Sequence, residues 1–313
     1  MKSIPIMIIL IVLLQGNAGF CEASGSSLGT VFNETRFIAY TPRSFSVTAG
    51  QVTSATASGI RSDLKLLRPH FDGLVTYAGV NGVEKVPEIA HELGFRAMIM
   101  GIWNPASEIE VQHVIETVRR YPKLIAAVIV GNEGIYAKHY QPADVEKTVR
   151  TIKTRYPELP LGTTEPFFLY LKPEYENFFA SHDFLAPNIH PIFEKWFKPD
   201  NPVPGIAFII QIAERLKATY GKPLLIKETG IPSGPESMGF SPERQSQFWK
   251  TLFQMIPAAP DRSVVCFEAF DAPWKPAVTA ETFTGDHPAE SFWGFFSSDG
   301  KPKPVVMRLK AEE

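Results

Sequence analysis

Residues 126–136 read AAVIVGNEGIY. Small and apolar side chains run without a polar face through Gly131 into Asn132 and Glu133. A strand apolar on both sides is buried on both sides, as in a parallel sheet covered by helices. The carboxylate at its end then marks where the chain leaves the sheet. Residues 223–234, PLLIKETGIPSG, repeat the pattern, with Glu228 closing a second apolar run.

Working outward, the same unit recurs. Strand patterns at Phe37–Arg43, Gly73–Gly79, Ala97–Trp103, Leu159–Pro166, Phe184–Pro191 and Ser263–Asp271 join the two already quoted, and amphipathic helical stretches separate them. The first helix is expected near Ser54–Arg68 and the last near Val305–Lys310. Eight strand–helix units in one chain of this size predict an α/β fold, a single-domain (β/α)8 TIM barrel. An open doubly wound sheet would place a glycine-rich phosphate loop after an early strand, and none is present.

In such a barrel the C-terminal strand tips line the open mouth, where barrel enzymes build their sites. The tips here carry Tyr77, Trp103, Asn132, Glu133, Glu165, His190, Glu228 and Glu268. A lone tip carboxylate can as well cap a helix or pair with a lysine. Several converging on one opening with aromatics point to a neutral, polyhydroxylated ligand and to the paired carboxyls of a glycosidase. No metal site is expected: His190 is the single tip histidine, and no His-x-His or His-Glu-x-x-His spacing occurs. No Gly-x-Ser-x-Gly elbow is present either.

The chain has 313 residues, 44% hydrophobic and 20% charged, with a net charge of −2. Those values are globular, and they give no electrostatic reason to expect nucleic acid as a partner. Residues 1–25 pair Lys2 with an unbroken apolar core from Ile6 to Leu14, too short to span a bilayer comfortably. This predicts a secretory signal over 1–23, cleaved after Ala23, and a catalytic domain over 24–313 with no stable membrane insertion. Phe20 is bulky where a lipid-attachment site before Cys21 needs a small residue. Cys266, in the run SVVCFEAF, reads as a buried small hydrophobe.

At the level of motifs the chain resembles glycoside hydrolase family 17, the β-1,3-glucanase barrels of clan A. VIVGNE resembles the family's strand-four motif, and IKETGIPSG its strand-seven motif Glu-Thr-Gly-Trp-Pro-Ser. TTEPF, NIHPIF, FEAFDAPWK and FWGFFSSDGKPKP resemble the bacterial branch. The resemblance implies Glu133 as acid/base, Glu228 as nucleophile and Asn132 as the amide at the sugar 2-hydroxyl. It also places Glu165, His190, Glu268, Trp274 and Lys275 at subsite positions, Glu268 alternatively as a structural partner of Lys275. Ile231 stands where the family has Trp. Ala272 stands where a Glu would precede Lys275 by three positions, which could leave that lysine unpaired.

The expected function is therefore a secreted or periplasmic retaining hydrolase of β-1,3-glucan or a related β-glucan. It would be a monomer with no cofactor and a polysaccharide or oligosaccharide substrate. Glucanosyl transfer on the same site is one alternative, and a glycan-binding barrel without activity is another. Exported protein should begin near Ser24. N-terminal sequencing checks this, and retained Met1 in a membrane fraction or a lipidated Cys21 would refute it.

Overall fold

The computed structural model of the chain describes residues 27–282 and 287–309, so the expected signal segment lies outside the described residues. Five parallel strands stand side by side in chain order: Phe37–Ala39, Gly73–Val75, Ala97–Ile102, Ile125–Asn132 and Leu161–Thr164. A sixth extended segment, residues 184–190, is tied on by single bridges, Pro166 to Asn188 on one side and Leu185 to Leu224 and Asn188 to Glu228 on the other. The seventh strand, Leu224–Ile226, pairs with the eighth, Arg262–Val264. The ring then closes: Ala39 N donates to Cys266 O at 3.0 Å and Cys266 N donates to Phe37 O at 2.9 Å. This is the expected (β/α)8 barrel.

Strand parity sorts the core into two bodies. Phe37, Ala39, Val75, Ala97, Ile99, Ala127, Ile129, Leu225 and Val265 face the barrel interior. Their neighbours Ile38, Leu74, Met98, Met100, Val128, Val130, Leu224 and Ile226 face outward and pack against helical residues such as Leu64, Val86, Val114, Ile152, Ile209 and Leu252. Successive side chains on a strand point to opposite faces, so a strand lodged between two apolar bodies is apolar at most positions, and a buried polar one must be satisfied locally, as Thr163 is by donating to Val130 O at 2.7 Å.

Helices appear where the periodicity placed them. Thr56 caps Ala57–Leu67, Ser107 caps Glu108–Arg120 and Ser241 caps Pro242–Met255, each hydroxyl accepting from the backbone amide three residues on. The eighth strand is shorter than expected. Beyond Val264 the chain still bonds to the seventh and first strands through Val265, Cys266 and Ala269, but it also takes up the C-terminal segment, Glu268 N donating to Trp293 O and Phe295 N to Glu268 O. Elements not anticipated include the helix Lys275–Thr282 and two others. A hairpin, Ser46–Thr48 with Gln51–Thr53, rises from the first loop through Ala49 and Gly50, both at positive φ as its two-residue turn requires. A short helix, Leu28–Glu34, lies beneath the barrel floor, with Gly29 against Pro260 and the Phe32 ring edge-on to Phe184.

Phe32 is fully buried and belongs to the interior body, so it plugs the floor. Phe32→Ala should cost about 3–5 kcal/mol, the usual range for truncating a buried aromatic. Ile109→Ala, at a 62% exposed helical position, should stay within roughly 0.5 kcal/mol. Denaturant unfolding of both variants checks the contrast, and equal losses would remove the plug.

Candidate active site

The fourth strand does not end smoothly. Its register with the fifth strand slips between Ile129 and Asn132, and Gly131 sits at φ 89°. The break lets two consecutive residues, Asn132 and Glu133, reach the mouth where regular alternation would send one of them outward. Glu133 itself takes a left-handed backbone at φ 53°, and its amide donates to Thr164 O at 2.8 Å. The side chain stays partly open to the mouth, and Asn188 Nδ2 donates to its Oε1 at 2.8 Å.

Glu228 follows the seventh strand. Lys227 Nζ donates to its Oε1 at 2.8 Å, and His190 Nε2 lies 3.5 Å from its Oε2. The same ammonium donates to Asn132 Oδ1 at 2.6 Å and stands 4.1 Å over the Tyr77 ring. Burial penalises the charge on Glu228, but Lys227 and His190 outweigh it and hold the carboxyl well below the usual carboxylate range. Glu133 moves the other way: burial, with the negative charge of Glu228 next, raises it above that range, against a smaller opposing effect of Asn188. Two neighbouring carboxyls are thus driven apart, one toward ionisation and one toward keeping its proton. Such a pair can attack with one oxygen and donate a proton from the other.

A cavity of about 620 Å³ opens beside the pair, under the loops that follow strands one, two, three and eight. Among the residues singled out in the sequence, Tyr77, Trp103, Asn132, Glu228, Trp274 and Lys275 line it. Trp103 is held in place from behind. Glu110, buried on the next helix, accepts from the amides of Gly79, Trp103 and Asn104 at 2.8, 2.8 and 3.0 Å. Trp274 is braced edge-on by Phe45 at 5.5 Å. The Tyr77 hydroxyl is buried and kept protonated by burial and by Glu228.

Other candidates stand behind this wall. Glu165 is fully buried, and its two oxygens accept from the amides of Ile135 and Tyr136 at 2.9 and 3.1 Å. Burial pushes its carboxyl up to about 8. It braces the loop after Glu133 and does not face the cavity. Glu268 is buried as well and accepts from Lys275 Nζ at 2.5 Å, so the alanine at 272 does not leave that lysine unpaired. His190 touches the cavity only through Glu228 and packs edge-on against Phe193, Phe267 and Trp293. Ile231 is fully buried. Trp293 is buried too, its ring 5.1 Å from those of His190 and Phe267.

Lys227 and Glu110 were missed. Lys227 sits between an apolar strand and a carboxylate, and a lysine at the inward parity of Leu225 is a signal that could have found it. Glu110 looked like one more charge in the first turn of a helix, where Glu is common.

The comparisons converge on carbohydrate chemistry. The model of the BtgE/BtgC glycoside hydrolase domain matches residues 38–294. A glucan 1,3-beta-glucosidase of Arthroderma benhamiae is 24% identical over 256 residues, covering 77% of this chain and 82% of that protein. An endo-laminarinase from Formosa superposes with a TM-score of 0.70 at 18% identity, over 88% of this chain and 86% of that one. A glycoside hydrolase family 17 beta-1,3-glucanosyltransferase from Rhizomucor miehei gives 0.62 at 20% identity, over 88% and 97%. With the family model covering most of the chain, from within the first strand to beyond the eighth, the chain belongs to the BtgE/BtgC glycoside hydrolase family.

Proposed function

We propose that the chain is a retaining hydrolase of β-1,3-glucan, with Glu228 as nucleophile and Glu133 as acid/base. The observation that carries this is geometric: Glu228 lines an aromatic-walled cavity and is bonded to Lys227, which also holds Asn132, while Glu133, the residue after Asn132, is bonded to the neutral amide of Asn188 and pushed the opposite way in charge. A Glu228 oxygen attacks the anomeric carbon while the Glu133 proton passes to the departing glycosidic oxygen. The result is a glycosyl ester on Glu228 and an ionised Glu133. Glu133 then takes a proton from the entering water as its oxygen displaces Glu228, which restores both groups. Asn132, Tyr77, Trp103, Trp274 and Lys275 contact the sugar on the cavity side. Glu165, His190 and Glu268 act on the subsites through the groups they hold. The relatives named above support β-1,3-glucan as substrate, and the motifs quoted at the outset support the bacterial branch of family 17. We further infer a monomer that acts outside the cytoplasm, a reading supported by the apolar segment at residues 6–14.

One observation favours transfer as a second reading. The loops after strands four, five and six carry exposed Tyr136, Phe168, Phe193 and Trp196 on the half of the mouth away from the cavity. Tyr136 and Phe168 meet edge to face at 5.2 Å. Aromatic faces suit a second sugar that would compete with water for the glycosyl ester. Chromatography of products from laminari-oligosaccharides separates the two, since transfer makes chains longer than the substrate.

Each glutamate serves a different face of the anomeric carbon. Glu133→Ala should lower kcat on natural glucan by about 10²–10⁴, the usual worth of a proton donor. With an activated aryl glycoside and azide it should yield the β-glycosyl azide. Glu228→Ala should yield the α-product. Near-normal hydrolysis by either variant would remove that residue, and swapped stereochemistry would exchange the roles.

The pH profile follows from the two directions. Glu133 is raised, so activity needing its proton extends above the pH at which an ordinary carboxyl ionises and is lost as pH rises through its elevated value. Glu228 is depressed, so activity needing its charge is lost only when pH falls well below the ordinary carboxylate range. The kcat/KM profile should show both limbs. In Glu133→Gln, on a substrate whose leaving group needs no proton, the alkaline limb should vanish; its persistence would assign that limb to another group.

A further inference from the structure

We propose that Lys227 is a positioning residue of this site: its ammonium ties the strand tip carrying the acid/base to the tip carrying the nucleophile, and sets which atom of Asn132 meets the sugar. The inference rests on Glu228 being the nucleophile.

Lys227 is 1% exposed, and lysine is almost never buried unless paired. All three of its N–H directions are taken up by Glu228 Oε1, Asn132 Oδ1 and the face of Tyr77. These partners come from the seventh, fourth and second strands, so one cation bridges the ring at its mouth. Asn132 immediately precedes Glu133, and Lys227 immediately precedes Glu228. The 2.6 and 2.8 Å contacts therefore link the backbones that carry the two carboxyls.

Chemistry decides the amide's orientation. An ammonium has donors only, so the Asn132 atom facing it must be the carbonyl oxygen. The amide N–H2 group is then turned to the cavity that Asn132 lines, where it presents a donor to a sugar hydroxyl. Without Lys227 the amide could rotate and present an acceptor instead.

The charges around Glu228 single out Lys227. From the sixth segment His190 stands 3.5 Å away, and Lys275, at the start of the helix Lys275–Thr282, is engaged by Glu268 at 2.5 Å. Glu133 from the fourth strand and Glu268 oppose the charge, and Tyr77 from the second faces it through its hydroxyl. Lys227 is the nearest cation among the described residues and the one bonded to both Glu228 and Asn132.

Lys227→Met and Lys227→Gln separate the two roles in the full-length enzyme. An opposite charge at this range moves a carboxyl by about 1–3 units, so the acid limb of kcat/KM should rise by that amount in both variants. Lys227→Gln keeps a donor for Asn132, so KM should rise in Lys227→Met and stay near wild type in Lys227→Gln. Carbon-13 NMR of glutamate-labelled protein, with the Glu228 signal identified by its loss in Glu228→Gln, reads the same midpoint without substrate. Should Lys227→Met fail to fold in a thermal melt, Lys227→Gln carries the pH comparison. An unmoved Glu228 midpoint and acid limb in a folded variant overturn the inference. A moved midpoint alongside undiminished hydrolysis by Glu228→Ala would also overturn it, by removing the nucleophile that Lys227 is said to position while leaving the ion pair intact.

Discussion

Every strand of this barrel is wedged between an interior of Phe, Ala, Ile and Leu side chains and an outer shell of helices. That double burial is the constraint from which the rest follows. A hydroxyl can sit mid-strand if the backbone satisfies it, as Val130 O does for Thr163, but a charge there would carry an unmet desolvation penalty. Charge is therefore expelled to the strand tips, and eight tips arranged in a ring bring it to one place. The site exists where it does because the strands have nowhere else to carry charge.

At the mouth, burial continues to act, now on ionisable groups. Glu133, Glu165, Glu228 and Glu268 all lose solvent, and each is settled by the partner it finds. Glu268 meets Lys275, and Glu165 meets two backbone amides, so both become braces for loops. Glu228 meets Lys227 and stays charged. Glu133 is raised by burial and by the charge of Glu228, against a smaller opposing effect of the Asn188 amide, and so holds its proton more tightly than an ordinary carboxyl. Four chemically identical side chains take different roles through their neighbours alone.

The fold was legible because apolar continuity and helical periodicity are local signals that double burial imposes on the sequence itself. Glu133 and Glu228 were legible for the same reason: a carboxylate after an unbroken apolar run is conspicuous. What escaped depends on contacts between distant segments. Glu165 looked like a sugar ligand until the amides of residues 135 and 136 were seen to occupy both its oxygens. The partner of Lys275 could not be chosen between an absent carboxylate near position 272 and Glu268 without the turn that brings residues 268 and 275 together. The floor helix escaped because seven residues give too few turns for periodicity to register. The shortened eighth strand escaped because pairing of Glu268 with residues 293 and 295 is set by the C-terminal segment and leaves no local mark.

The left-handed backbone of Glu133 carries a consequence for how such a site drifts over generations. A residue with a Cβ at φ 53° is strained by about 1 kcal/mol or more relative to glycine, which occupies that region freely. A Glu-to-Gly change there would relieve the strain and also remove a buried ionisable group. Selection for folding alone would thus favour losing this carboxyl. A barrel released from its enzymatic task would decay first at this position, becoming a sturdier protein as it stopped being a catalyst.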